Sequence, residues 1–141
     1  MTDLVAGVLQ LTTEGARAVL SAAAADAAAD GAGVSIAVVD AGGHLLVLER
    51  LAGAAAHTVH SATTKAACAA SMRKATGLAD APIDMTAGLG IALAAGTDRW
   101  TPLPGGFPIV VDGQCVGAIG VAGAPHDVDE RIARAGTRAL G

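Results

Sequence analysis

The stretch Gly105–Gly123, GGFPIVVDGQCVGAIGVAG, decides how the rest of the chain is read. Asp112-Gly113 lies between two apolar runs, Pro108–Val111 and Gln114–Ala122. Such a dipeptide favours a two-residue hairpin turn, because its positive-φ positions match the twist of the flanking strands. Within the second run Gly117, Gly120 and Gly123 recur at every third position. Glycine weakens a strand interior, so the pattern predicts a bulge, or a helix or neighbouring subunit pressed against a nearly bare strand.

Upstream of the hairpin, Thr97–Gly106 (TDRWTPLPGG) reads as a loop with room for a further strand near Trp100. Downstream, Asp127–Leu140 reads as a helix with Asp129 and Glu130 early and Arg131, Arg134 and Arg138 later, the polarity that the helix dipole favours. Val34–Asp40 (VSIAVVD) is almost continuously apolar and β-branched, as in a strand covered on both faces. Ala41-Gly42-Gly43 turns the chain into a second strand, His44–Arg50, with His44 as a turn or strand-start residue. Thr12 or Thr13 caps an alanine-rich helix that runs to Asp30 and stops at Gly31. Ala54–Thr76 is helical, with Gly77 as its stop, and Ile83–Ala95 is a short helix ended by Gly96. Helices alternating with hairpins indicate an α+β fold, an antiparallel sheet covered by helices, in one domain over residues 1–141.

Composition narrows the function. The 141 residues are 52% hydrophobic but 1% aromatic, so the core must be packed from Ala, Val, Leu and Ile, with Trp100 and Phe107 as the only large rings. A net charge of −4, with no Lys/Arg cluster, removes the attraction to phosphate backbones or anionic lipid, so neither nucleic acid nor membrane is an expected partner. The mean hydropathy of +0.54 reflects alanine and glycine, together with apolar surface buried between subunits. Two cysteines, Cys68 and Cys115, and an N-terminal stretch without the features of a signal peptide lead us to expect a cytoplasmic protein with reduced thiols.

The Ala54–Thr76 helix carries an unusual stripe. At 100° per residue His57, His60, Ser61, Thr64, Cys68 and Ser71 share one face, with Lys65 at its edge and Ala62, Ala66, Ala69 and Ala70 behind. A solvated face would hold Lys, Glu and Arg, so a polar but uncharged face points to contact with a ligand, a loop or another subunit. His57 and His60 can reach one metal, with Cys68 two turns on extending the set; the plain alternative is a pair of imidazoles satisfied by their neighbours. Lys65 is either a cation or amine for a ligand, or half of a salt bridge. Asp127 and Glu130 can bind iron or simply serve the helix dipole. The glycines of Gly88-Leu89-Gly90 and Gly117–Gly123 open no helix where a phosphate could sit.

The pieces VVDAGGHLL (Val38–Leu46) followed by ER, the helix with Lys65-Ala66, GGFPIVVDGQCVGAIGVAG and the later ARAG occur together in one order. In these the chain resembles the GlcG/HbpS-like proteins, relatives of the C-terminal domain of PduO-type adenosyltransferases. Gly42, Gly43, Lys65, Gly105, Gly106, Pro108, Asp112 and Gly113 match the shared pattern. The resemblance implies a profilin-like α/β/α fold with a five-stranded antiparallel sheet, homo-oligomers and, in some members, haem binding. It carries over no axial ligand by position.

Together these readings lead us to expect a cytosolic oligomeric small-ligand-binding protein, with haem or a related tetrapyrrole as ligand and His57 or His60 on the iron. Its site is expected to be lined by His57, His60, Thr64, Lys65, Cys68, Arg99, Trp100, Gly105, Gly106 and Phe107, with the Trp100 loop and Phe107 beside the helix stripe. One alternative is an enzyme without an organic cofactor, an isomerase, hydratase or lyase on a small carbonyl or aromatic metabolite, using His57, His60 and Lys65 as acid–base groups. Another is a structural protein whose stripe is an oligomer contact.

Overall fold

The computed structural model describes residues 2–140. Helix α1 (Thr13–Asp30) is followed by β1 (Ser35–Asp40) and β2 (Leu45–Arg50). Then come α2 (Thr58–Met72), α3 (Met85–Ala95), β3 (Gly106–Val111), β4 (Gln114–Ala122) and α4 (His126–Thr137). Short 3-10 turns flank them at Thr2–Leu4 and Arg138–Leu140. The sheet is antiparallel in the order β2-β1-β4-β3, so the two sequence-local hairpins are joined by pairing β1 to β4.

The hairpin between β3 and β4 turns as its sequence requires, with Asp112 at φ 50° and Gly113 at φ 75°. A register shift between Ile109 and Val110 supplies the bulge. Thr12 caps α1, accepting a hydrogen bond from the Gly15 N–H, and Gly31 ends it at φ 65°.

β1 is buried on both faces, and the faces differ. Ile36 and Val38 join Val19, Ile109, Ile119, Val121 and Ile132 in a core beneath α1 and α4. Ala37 and Val39 join Ala118 and Ala122 beneath Ala62, Ala66, Ala69 and Ala70 of α2. The second layer is made of the smallest side chains, and α2 approaches the sheet accordingly. A Cβ added at Gly120 would sit 2.0 Å from the Ala62 carbonyl oxygen. The helix pressed against the bare strand is therefore α2. The alanine-rich α1 packs instead on α4, where Arg131 pairs with Asp26 at 3.0 Å and with Asp30.

Several sequence expectations need correction. The described residues form four strands rather than five: the segment near Trp100 makes turns and bends, and Pro102 and Pro104 have no N–H to give a sheet ladder. Helix α2 ends at Met72, not at Gly77, because Arg73 adopts φ 58° and closes the helix on the Ala69 carbonyl. Helix α3 begins at Met85, two residues inside the expected start, where Asp84 caps it by accepting from the Ala87 N–H.

Residues 77–105, which carry α3 and the Trp100 loop, leave and rejoin the body at one point. The Thr76 N–H donates to the Gly106 carbonyl at 3.0 Å, and the Gly106 N–H donates to Thr76 Oγ1 at 2.9 Å. Within α3 itself only Gly88 and Ala92 are buried, so this helix does not merge into the core.

Candidate functional site

Three cavities lie between that excursion and the body, and Trp100 contributes to the wall of each. One, of about 240 Å³, lies between His60, Ser61, Thr64 and Lys65 of α2, Met85 and Leu89 of α3, and the Trp100 loop. A second, of about 660 Å³, lies between the Gly42–His44 turn, the His60, Thr64 and Ser71 side of α2, and Arg99 and Trp100. A third, of about 540 Å³, runs from Met72 and Ile91 to Glu130 and Arg134 of α4. The first two share His60, Thr64 and Trp100.

The stripe on α2 thus divides. His60, Ser61 and Thr64 face a cavity, and so does Ser71. His57 lies just before the helix, exposed, makes no capping hydrogen bond and is not part of these walls. Thr64 is 4% exposed, and its Oγ1 is the one buried side-chain oxygen or nitrogen without a hydrogen-bond partner among the described residues. An orphaned buried hydroxyl costs about 1–3 kcal/mol, so its place in two cavity walls marks where a ligand or water is needed.

Cys68 is fully buried, and its thiol points at the Thr101 carbonyl at 3.5 Å. Burial pushes its pKa up, against the weaker opposing effect of that hydrogen bond, and the thiol stays protonated and unreactive. We expect iodoacetamide to alkylate the half-buried Cys115 before Cys68 in the native protein, read by peptide mass spectrometry. Equal rates would mean that the Trp100 loop opens readily. Among the described residues no three His, Cys, Asp or Glu side chains are placed to hold a metal ion, so His57, His60 and Cys68 do not form the metal set that their spacing allowed.

Lys65 is 3% exposed and occupied. Its Nζ donates to the Val121 carbonyl at 2.8 Å and to Asp129 Oδ2 at 3.2 Å, while Asp129 Oδ1 accepts from the Ala124 N–H at 3.0 Å. Burial lowers the pKa of the ammonium and raises that of the carboxyl; in each case the attraction of the partner opposes the shift. Gly105 and Gly106 make room for this lysine: a Cβ at 105 would meet its Nζ at 3.0 Å, and one at 106 its carbonyl oxygen at 2.3 Å. Position 105 also needs φ 122°.

Phe107 corrects another expectation. It pairs with Ile119 and packs into the core on the α1/α4 side of the sheet, with the Arg134 guanidinium 5.1 Å from its ring centroid. It therefore lies across the sheet from the stripe and lines none of the three cavities walled by Trp100. Arg99 and Trp100 do line one with His60. Of the acidic pair considered for iron, Asp127 is exposed and Glu130 lines the third cavity.

Sequence reasoning missed two participants. Asp129 was visible only as a helix-dipole acid, and nothing local links it to a lysine 64 residues away. His44 was read as a turn residue, yet the turn sets it in the wall of the 660 Å³ cavity beside His60. The signal for it was Asp40-Ala41-Gly42-Gly43-His44, an aspartate that can organise a turn through its side chain.

Comparison with known proteins agrees with this architecture. Protein GlcG of Escherichia coli K12 is 36% identical over 112 residues, 79% of this chain and 81% of its own length. The crystal structure of a double mutant of HbpS from Streptomyces reticuli superposes with a TM-score of 0.78 at 37% identity, covering 98% of this chain and 92% of that one. The crystal structure of a PduOC–haem complex superposes with a TM-score of 0.82 at 26% identity, covering 93% and 95%. Residues 11–138 match the family described as haem degrading protein HbpS-like, and with nearly the whole chain inside that match, the protein belongs to this family.

Proposed function

We propose that this protein binds a small planar ligand, haem or a related tetrapyrrole, in the two cavities that share His60, Thr64 and Trp100. The observation that carries the reading is the meeting of an imidazole, an indole and a buried hydroxyl without a partner in the same walls. The larger volume, about 660 Å³, falls within the roughly 300–1,000 Å³ of small-molecule sites. The haem-bound PduOC structure supports the choice of ligand.

The residues fit such a group. His60 would offer a neutral imidazole to the iron, Arg99 a guanidinium to a propionate, and Trp100 an apolar ring face. When bound, haem supplies an iron centre for redox or ligand chemistry. The chain's own part is to orient the group through His60 and to shield it beneath α3 and the Trp100 loop. Lys65, taken up by Asp129 and Val121, holds the wall of the smaller cavity and serves neither as a free amine nor as a cation for the ligand. Leu89 and Leu93 of α3, 53% and 76% exposed, support assembly into a homo-oligomer, and the two unpaired thiols accord with a reducing, cytosolic setting.

Titration with haemin is expected to give a saturable Soret shift. His60→Ala should weaken binding at least about tenfold, a loss on the scale seen when the groups supporting a metal are removed. His57→Ala should leave it unchanged. A His60→Ala variant that titrates like the unaltered protein would remove the imidazole from the site.

A further inference from the structure

The rim of the 660 Å³ cavity carries a second imidazole, that of His44, 80% exposed at its side chain, and its setting is more organised than that of His60. Asp40 ends β1, and its Oδ1 accepts from the Gly42 N–H at 2.9 Å, the His44 N–H at 3.0 Å and the His44 ring Nδ1 at 3.1 Å. Oδ2 lies 3.3 Å from the same ring nitrogen. An ionised carboxylate can only accept, so Nδ1 must carry the proton and the lone pair sits on Nε2. The sequence is fitted to hold the ring there. A Cβ at Gly42 would lie 2.8 Å from the imidazole Cε1, and Gly43, at φ 83°, rests against Ala67 of α2, which sets the turn beside Ser71 and Thr64.

We propose that Asp40 and His44 form a carboxylate–imidazole dyad that is the acid–base element of this cavity. Its ligand then carries an anionic group for Arg99 and an acidic or hydrogen-bond-donating group for His44 Nε2. A proton leaving the ligand moves to Nε2, the ligand keeps the electron pair as its anion, and the imidazolium is balanced by the Asp40 carboxylate. Asp40 is the positioning residue and His44 the group that meets the ligand. The Thr64 hydroxyl, buried and without a partner in the same wall, is independent evidence that a polar ligand belongs there. The inference rests on the reading of this cavity as the ligand site.

Diethyl pyrocarbonate acylates unprotonated imidazole nitrogen, and peptide mass spectrometry can follow all four histidines of the full chain at once. His57 and His126 are exposed and, among the described residues, not hydrogen-bonded to a carboxylate, so they serve as internal references. His44 is expected to react several-fold faster than either. Asp40→Asn keeps an oxygen for the Gly42 and His44 N–H groups, but its NH₂ donates to Nδ1 and moves the ring proton to Nε2. In that variant His44 should fall to the reference rate, while circular dichroism and thermal midpoint stay near those of the unaltered protein. Gly42→Ala, which displaces the ring, should do the same if Asp40→Asn fails to fold. Long-range ¹H–¹⁵N spectra should show the Nδ1–H tautomer only in the unaltered protein. With haemin as probe, His44 and His60 should be protected and His57 and His126 not.

If His44 reacts at the reference rate in the unaltered protein, or shows the Nε2–H tautomer, the dyad is overturned. A fast, Asp40-dependent His44 that haemin does not protect would support the dyad and instead refute haem as the ligand.

Discussion

Gly120→Ala is expected to destabilise the protein by at least about 3 kcal/mol, the upper end of what overpacking costs. The added Cβ would lie 2.0 Å from the Ala62 carbonyl oxygen and 2.5 Å from the Ala66 nitrogen. Both obstacles are backbone, so no side chain can rotate out of the way, and α2 must rise from the sheet along its contact with β4. That movement opens the layer of Ala37, Val39, Ala118 and Ala122, whose dispersion contacts depend on the short distance. The same substitution at Gly90 should have the opposite sign. Position 90 lies inside α3 with nothing within 4 Å of an added Cβ, so alanine there contributes roughly 0.5–1 kcal/mol through the unfolded state. Urea unfolding of the two variants tests the pair. If Gly120→Ala shifts the midpoint no more than a surface mutation, α2 is not seated on the strand as described.

Lys65→Met should cost about 3–5 kcal/mol, because it leaves the Asp129 carboxylate buried without its counter-charge. Lys65 and Asp129 are 4% and 1% exposed at their side chains, so water cannot replace the lost partner. Replacing both, Lys65→Met with Asp129→Leu, removes the stranded charge and should recover much of the loss. Recovery stays incomplete because the Val121 carbonyl and the Ala124 N–H lose their partners in the exchange. A double-mutant cycle measured by denaturant unfolding isolates the coupling. Simple additivity of the two single changes would show that the ion pair is not the brace between α2, β4 and the start of α4.

Both variants act at positions whose importance was unevenly legible in the sequence. Gly120 announced itself: a glycine repeated inside a β-branched run calls for a neighbour, and the alanines at 62, 66, 69 and 70 mark the back of the helix that supplies it. Lys65 announced only a choice between ligand and salt bridge, since the partner depends on how α4 is laid against the sheet. The candidate site was half legible for the same reason. Helical periodicity put His60, Ser61 and Thr64 on one face, and they line one cavity with Trp100. It could not tell that His57, one turn earlier, falls off the end of that wall, or that a turn in the first hairpin brings His44 to its other side.

The sequence by itself determined the conformations that rest on near neighbours. These include the Asp112-Gly113 turn, a threonine cap at Thr12 or Thr13, the two-faced burial of Val34–Asp40 and the alanine back of α2, because turn sterics, capping and side-chain periodicity act over a few residues. Tertiary structure decided which long-range pairs meet. The register of β3 on β4 turns Phe107 toward the α1/α4 core and away from the stripe. The excursion closed by Thr76 and Gly106 sets Trp100 over α2, and the docking of α4 gives Lys65 its carboxylate. A one-residue change of register reverses which face a strand side chain serves, and an ion pair spanning 64 residues exists only once the layers between its halves have packed.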